Sequence, residues 1–284
     1  MNIETETPPT PALLRRALYD GRVFKLAASD GSRALVDNVN VVLERELGHE
    51  PRLAAQRMSD DEHFASVGRV RKELFLTTPF HRAVLRLLGE LGQPPERVAF
   101  DPLRLRCVLD SGHDNPRAKA VYYPHRDTWY GHPSSLITVW VPICDLTPSE
   151  TFVFFPEKFR SPVPNDSEIF DYQEWVAKGW GLKIGWQQKN SGLEARYPGV
   201  VGEVETGAAV GFSCRRGEIL LFSGSQFHRT LPQRLGRTRF SLDFRFVDLG
   251  DHAEGLGAPN VDNRSRGSAL CDYVRGDAIS WTDA

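Results

Sequence analysis

Three short stretches of this chain carry residues whose types could together hold a metal ion and clamp a co-substrate upon it. His125-Arg126-Asp127 follows the aromatic, β-prone run Val121-Tyr122-Tyr123-Pro124. Much further along, His228 follows Glu218-Ile219-Leu220-Leu221-Phe222, and Arg239 stands within Thr238-Arg239-Phe240-Ser241-Leu242-Asp243-Phe244. Residues two apart on a strand project to one side, so His125 and Asp127 can face one point, with His228 joining from a neighbouring strand. Two neutral imidazoles and an ionised carboxylate on one face of an octahedral ion suit Fe(II), and leave the opposite positions open for a co-substrate and O2. A 2-oxo acid chelates through its keto and carboxylate oxygens. The remote carboxylate of 2-oxoglutarate then needs a fixed cation, a task suited to the planar fork of arginine. Arg239 is expected to fill that role, with Ser241 facing the same way and adding a hydroxyl. Arg237 and Arg245 share its strand parity and compete for it, but Arg239 stands nearest the expected depth.

The bare spacing proves little. With 8 His and 37 acidic residues in 284, chance alone supplies a match, and His252-Ala253-Glu254 is a second one. That one lies in a Gly-rich tail with no strand before it and no later His, and reads as a decoy. The context around His125 is what separates the two: a strand before it, a second His at a strand end, an arginine on the next strand.

Residues near the triad bear on substrate. Trp129, Tyr130 and His132 follow Asp127 directly and are expected to line the mouth, the plainer alternative being packing against a neighbouring segment. Arg104 and Arg106 alternate with Leu103, Leu105 and Cys107 and so share one face. Facing inward, Arg106 and its neighbour would meet an anionic substrate group, since a buried unpaired guanidinium is costly. Facing outward, the commoner case, they are solvated.

These residues need a scaffold, and the chain divides by texture. Residues 1–96 read as helical and would pack outside a sheet, the first eleven, acidic and Pro-rich, being expected to be disordered. One helix is spaced through Leu35, Val36, Val42, Leu43 and Leu47 to Gly48, a second opens on the capping box Ser59-Asp60-Asp61-Glu62, and a third runs from about Pro79 to Leu91. From 97 to 249 the texture is of strands, with candidates at 97–110, 119–124, 135–143, 151–155, 199–205, 208–213, 217–223 and 238–248. Short strands separated by turn residues point to a mainly β fold with flanking helices, a double-stranded β-helix or jelly roll of the cupin type. A long insertion, 156–198, carries Phe170, Tyr172, Trp175, Trp180 and Trp186 with Lys178 and Lys183; a connection of that length suggests a lid, or its aromatics simply pack it onto the barrel. The tail, 250–284, is loop-rich, and its polar stretch from Gly257 to Arg264 reads as surface loop, with folding over the barrel as the alternative. The whole is expected to be a single domain.

Composition narrows the class. A formal charge of -2 offers no broad attraction to nucleic acid or membrane. No apolar run approaches the ~20 residues of a membrane span, and the N-terminus does not read as a signal peptide. The four cysteines, Cys107, Cys144, Cys214 and Cys271, are far apart and read as reduced and mostly buried, which suits a cytoplasmic protein. A kinase reading of His125-Arg126-Asp127 fails for want of a Gly-rich loop and a downstream Asn.

With these residues in view, the chain resembles the Fe(II)- and 2-oxoglutarate-dependent oxygenases, and within them is similar to the phytanoyl-CoA dioxygenase-like branch. The resemblance rests on His125, Asp127, the Arg216-Gly217-Glu218-Ile219-Leu220-Leu221-Phe222 lead-in to His228, and Arg239-Phe240-Ser241, and spans about residues 97–248. It implies Fe(II), 2-oxoglutarate and O2 as cofactor and co-substrates, with succinate and CO2 released as an unactivated C–H is hydroxylated. It also implies that halogenation is excluded, because halogenases of this superfamily replace the carboxylate ligand with a small residue and this chain keeps Asp127. Desaturation, cyclisation and epimerisation use the same centre and stay open, as does a non-catalytic jelly-roll binding protein. The segment after the metal motif departs from many relatives, with Phe155-Pro156-Glu157-Lys158-Phe159 where they carry Pro-Gly-Ser-His. A small metabolite or natural-product intermediate is the expected substrate class.

Overall fold

The computed structural model describes residues 2–115, 119–177 and 197–280. In chain order its principal elements are β1 (Ile3–Glu4), α1 (Pro11–Tyr19), β2 (Val23–Leu26), α2 (Asp30–Leu47), α3 (Asp60–Leu76), α4 (Thr78–Glu90), β3 (Val98–Val108), β4 (Ile137–Pro142), β5 (Phe152–Phe154), α5 (Tyr172–Ala177), β6 (Ile219–Ser223), β7 (His228–Thr230), β8 (Arg239–Asp248), α6 (Leu249–Ala253) and β9 (Val274–Arg275). A mixed seven-stranded sheet runs β1-β2-β6-β4-β8-β3-β9, and β5 and β7 form a separate pair.

The helices form where local chemistry dictates. Ser59 Oγ accepts from Glu62 N while Glu62 Oε2 accepts from Ser59 N, closing the capping box that opens α3; such a cap contributes about 1 kcal/mol. α2 stops at Gly48, whose φ of 77° lies in the left-handed region that glycine enters without steric cost.

Alternation on the strands sorts the large sheet into two faces. Phe240, Leu242, Phe244 and Phe246 of β8, with Ile137, Val139 and Val141 of β4, pack against apolar residues of α1 to α4. Each such buried side chain contributes roughly 1.5–3 kcal/mol. The other face carries Arg239, Ser241, Asp243 and Arg245 of β8, and across the ladder β3 places Arg106 opposite Ser241 and Arg104 opposite Asp243. A polar inner face on a central strand is costly unless its charges meet partners, and the site is built there.

Several expectations are corrected. Residues 119–122 form a 3-10 turn rather than a strand; Pro124 removes a donor that a ladder would need. The strands expected at 199–205 and 208–213 reduce to single bridges, Val200 to Asn165 and Val210 to Phe154, in a stretch interrupted by Gly199, Gly202, Gly207 and Gly211, which weaken a strand by their backbone entropy. The N-terminal region is not purely helical: β2 pairs with β6, and Ile3–Glu4, in the stretch expected to be disordered, pairs in parallel with Val23–Phe24. The cysteines are unpaired, with Cys214 buried and Cys271 exposed. Among the described residues no helix is long and apolar enough to cross a membrane.

Candidate metal centre

His125 and His228 meet through their backbones. His125 N donates to His228 O at 3.0 Å and His228 N to His125 O at 3.1 Å, an antiparallel pair outside the regular strands. This reciprocal pairing sets the side chains next to each other, and the ring centroids lie 4.4 Å apart. Asp127 reaches the same point differently from the strand expectation, because it opens a 3-10 turn, Asp127–Tyr130. Gly224 lets that turn pass: a Cβ there would meet Leu136 Cδ2 at 2.5 Å and Asp127 Cβ at 3.3 Å.

One ligand atom from each of His125, Asp127 and His228 lies within 4.8 Å of the others. Each imidazole is oriented by its far nitrogen, His125 Nδ1 donating to Tyr123 O at 2.8 Å and His228 Nδ1 to Gln226 O at 3.0 Å. That fixes the tautomer and leaves each Nε2 as a lone pair available to a metal. Burial holds both rings neutral, pushing His125 down to about 3 with help from His228, and lowering His228 too. Asp127 is the opposite case. Burial alone would raise its pKa, but the Arg245 guanidinium holds its carboxyl well below the usual range. Thr138 Oγ1 donates to Asp127 Oδ2 at 2.8 Å, and Asp127 Oδ1 lies 3.7 Å from His125 Nε2. A neutral, neutral, anionic donor set with its outer hydrogen bonds already made fits a divalent transition metal.

The triad opens on a cavity of about 340 Å³ between the two sheets, lined in part by Trp140, Phe152, Phe222, Thr230 and Arg239. Here the three arginines of shared parity part company. Arg237 pairs with Glu150 at 3.0 Å and its side chain is 42% exposed. Arg245 is enclosed by Asp101, Asp127 and Asp243. Arg239 is 2% exposed, and no carboxylate answers it among the described residues. Its Nη1 reaches Glu150 O at 3.5 Å, its Nε has no partner, and burial pulls its pKa down to about 10. A buried guanidinium without a counter-anion is costly, and a carboxylate bound beside it would offset that cost.

The remaining expected residues divide. Tyr130 and His132 line the cavity; the Tyr130 ring lies edge-on to His125 at 5.6 Å, and His132 Nδ1 meets the Tyr273 hydroxyl at 2.9 Å. Arg104 and Arg106 also face the cavity rather than the outside. Trp129 does not line it. The turn after Asp127 rotates its ring into a cluster with Val153, Phe155, Val163 and Phe227, and its Nε1 donates to Asp262 at 2.9 Å. Ser241 sits behind the wall, its Oγ accepting from Trp140 Nε1 at 3.0 Å. His252, of the decoy, lies on α6 with its Nδ1 near Ser135 Oγ, and it belongs to no group of potential metal ligands among the described residues.

Two contributors were invisible to sequence reasoning. Arg126, between the two ligands, is buried and grips Asp262, with further bonds to Ser225 O, Lys158 O and Ser161 O. The tail expected to be surface loop therefore latches onto the metal-binding segment, and Ala269, Asp272 and Tyr273 beyond it join the cavity wall. From the insertion, Phe170, Tyr172 and Trp175 line the cavity; Lys178, Trp180, Lys183 and Trp186 lie outside the described residues.

No protein-family model matches the chain, and no curated protein matches it. Among solved structures it is similar to the non-heme monooxygenase ThoJ in a nickel complex, at 11% identity over 82% of this chain and 76% of that one, with a TM-score of 0.44. The epimerase SnoN, in complex with Fe3+, alpha ketoglutarate and nogalamycin RO, scores 0.44 at 13% identity over 82% and 83%. EvdO2 of Micromonospora carbonacea var. aurantiaca, complexed with 2-oxoglutarate, scores 0.44 at 12% identity over 87% and 94%. Likeness at this level transfers no residue role to the chain.

Proposed function

We propose that the chain is an Fe(II)- and 2-oxoglutarate-dependent dioxygenase of the phytanoyl-CoA dioxygenase-like branch, on a jelly-roll core, that hydroxylates an unactivated C–H of a small metabolite or natural-product intermediate. The observation that carries this reading is the pairing of two features in one cavity: a His125, Asp127, His228 donor set with both imidazole Nδ1 atoms already engaged, and a buried guanidinium, Arg239, that meets no carboxylate among the described residues.

In this reading the Nε2 atoms of His125 and His228 and the Asp127 carboxylate hold the iron. Arg239 takes the remote carboxylate of 2-oxoglutarate. When bound, the iron would supply a site at which O2, the oxidant, takes two electrons from the 2-oxo acid and two from the substrate C–H, giving succinate, CO2 and a hydroxylated product with one oxygen atom each in succinate and product. The chain's own work is positional. Tyr123 O and Gln226 O fix the rings, Thr138 and Arg245 hold the carboxylate, and the apolar side chains Phe152, Phe222 and Trp140 keep water from the inner wall.

Anaerobic titration of Fe(II) and 2-oxoglutarate into the apo-protein tests this. A weak visible charge-transfer band is expected only when both are present, lost in Asp127→Ala and weakened in Arg239→Ala. Folded protein without a band would sink the reading. Product analysis with a turned-over substrate then separates hydroxylation from desaturation, cyclisation and epimerisation.

A further inference from the structure

The inner face of the large sheet holds a chain of shared charges. Arg104 donates from Nε and Nη2 to the two oxygens of Asp101, each at 2.9 Å. Arg106 does the same to Asp243, each bond 2.7 Å. Arg245 lies between, 3.0 Å from Asp101 Oδ2, 3.5 Å from Asp243 Oδ2 and 3.3 Å from Asp127 Oδ1. Asp101 and Asp243 thus each answer two guanidiniums, and Asp127 adds a third carboxylate to Arg245. Of the other carboxylates on the cavity wall, Asp60 is exposed at the rim and Asp272 accepts from the Tyr172 hydroxyl.

Arg106 is the member of this chain with an edge to spare. A guanidinium offers a side edge, Nε with one terminal nitrogen, and an end edge of the two terminal nitrogens. Asp243 occupies the side edge. Nη1 makes no hydrogen bond among the described residues, and the side chain is 37% exposed although the residue lines the cavity. The same cavity carries an aromatic group in mutual contact, Tyr130 against Phe170 at 5.9 Å and Tyr197 at 6.2 Å, with Trp175 on Phe170 at 6.0 Å.

We propose that the primary substrate is a carboxylic acid with a planar, aromatic body, its carboxylate seated on the end edge of Arg106 and its ring among Tyr130, Phe170, Trp175 and Tyr197. This rests on the oxygenase reading and names its substrate class. Once Asp127 is committed to the metal and Arg239 to 2-oxoglutarate, Arg106 and Arg245 lean on the same Asp243 carboxylate, and a substrate anion on the open end edge of Arg106 adds the counter-charge they share.

The test uses protein loaded anaerobically with Fe(II) and 2-oxoglutarate, titrated with 3-phenylpropanoate and naphthalene-2-carboxylate and with their primary amides. Binding is read from the shift of the charge-transfer band and from tryptophan fluorescence. The acids are expected to bind roughly tenfold or more tightly than the amides, the range of a charge-assisted forked pair. Arg106→Met should abolish that preference while the band itself remains. Arg106→Lys, which keeps the charge for Asp243 but has no second edge, should lose most of it, and serves if Arg106→Met does not fold. Equal affinity for acid and amide, no binding by either acid, or a preference that survives both substitutions overturns the proposal and leaves the oxygenase reading standing. Absence of the band with Fe(II) and 2-oxoglutarate alone overturns both.

Discussion

Arg245 donates to both oxygens of Asp127, from Nε to Oδ2 and from Nη2 to Oδ1, each at 3.3 Å. The single anionic member of the candidate metal centre is therefore held at two points by a cation that itself bonds Asp101 and approaches Asp243. Burial would lower the Arg245 pKa, but these three carboxylates raise it well above its ordinary value. Arg245→Met would leave them facing a hole in their counter-charge. Breaking a buried ion pair from one side costs about 3–5 kcal/mol, and urea unfolding of the apo-protein should show a loss of that size, with Arg245→Lys intermediate. A variant as stable as the parent would show that water, rather than the guanidinium, satisfies Asp127.

Arg239 should behave in the opposite sense. Its buried guanidinium meets no carboxylate among the described residues, only Glu150 O at 3.5 Å and the Trp140 ring at 6.0 Å, and its Nε is unsatisfied, so Arg239→Met should raise apo-stability by about 1–3 kcal/mol, the desolvation cost of an unsatisfied polar group. The same substitution should remove the thermal stabilisation that metal plus 2-oxoglutarate gives the parent. Melting curves with and without both additions check the two halves together. A variant that melts lower than the parent without additions would mean that Arg239 already has a partner within the fold.

His132 sets a pH dependence. Burial, with the Arg245 charge nearby, pushes its pKa down to about 3 from the ordinary value of 6.5. The folded state keeps this ring neutral while the unfolded state protonates it, so below pH 6.5 the unfolded chain binds the extra proton and stability falls as pH falls, until the folded pKa is reached. At pH 5 the loss from this group amounts to at most about 2 kcal/mol. Unfolding midpoints of the parent and His132→Gln should diverge between pH 7 and 5, with the variant losing less; parallel curves would remove His132 as the cause.

Asp262 ties the tail to the site. Its carboxylate accepts from Arg126 Nε at 3.0 Å, Trp129 Nε1 at 2.9 Å and Val163 N at 2.8 Å. Asp262→Ala strands Arg126, which is 1% exposed, and should cost about 3–5 kcal/mol. It should also open the polar stretch from Gly255 to Gly267 to limited proteolysis, which Asp262→Asn does to a lesser extent. An unchanged digestion pattern would show that the tail is held by other contacts.

Much of the scaffold is readable because its causes are local. Helix α3 begins where Ser59 and Glu62 can cap each other, and α2 ends where Gly48 can turn left-handed, whatever the rest of the chain does. The strand alternation of β8 likewise separates Phe240, Leu242, Phe244 and Phe246 from Arg239, Ser241, Asp243 and Arg245 by parity alone. The strand propensity at 199–205 and 208–213 is not backed by a continuous pairing partner, and β2 carries little local signal because it is short and pairs with β6, far away in the chain.

Residue types and their spacing by themselves nominated His125, Asp127, His228 and a basic position on β8, since chemistry of this kind needs those donors and strand parity is a property of the backbone. Which arginine is left without a carboxylate, that Trp129 turns into the core, that Arg106 keeps one edge open to the cavity, and that Asp262 reaches back to Arg126 were decided by the tertiary structure. Each of those outcomes depends on what a side chain meets across the sheet or from a distant loop. Electrostatic satisfaction is a property of pairs, and the chain order does not say which pairs will form.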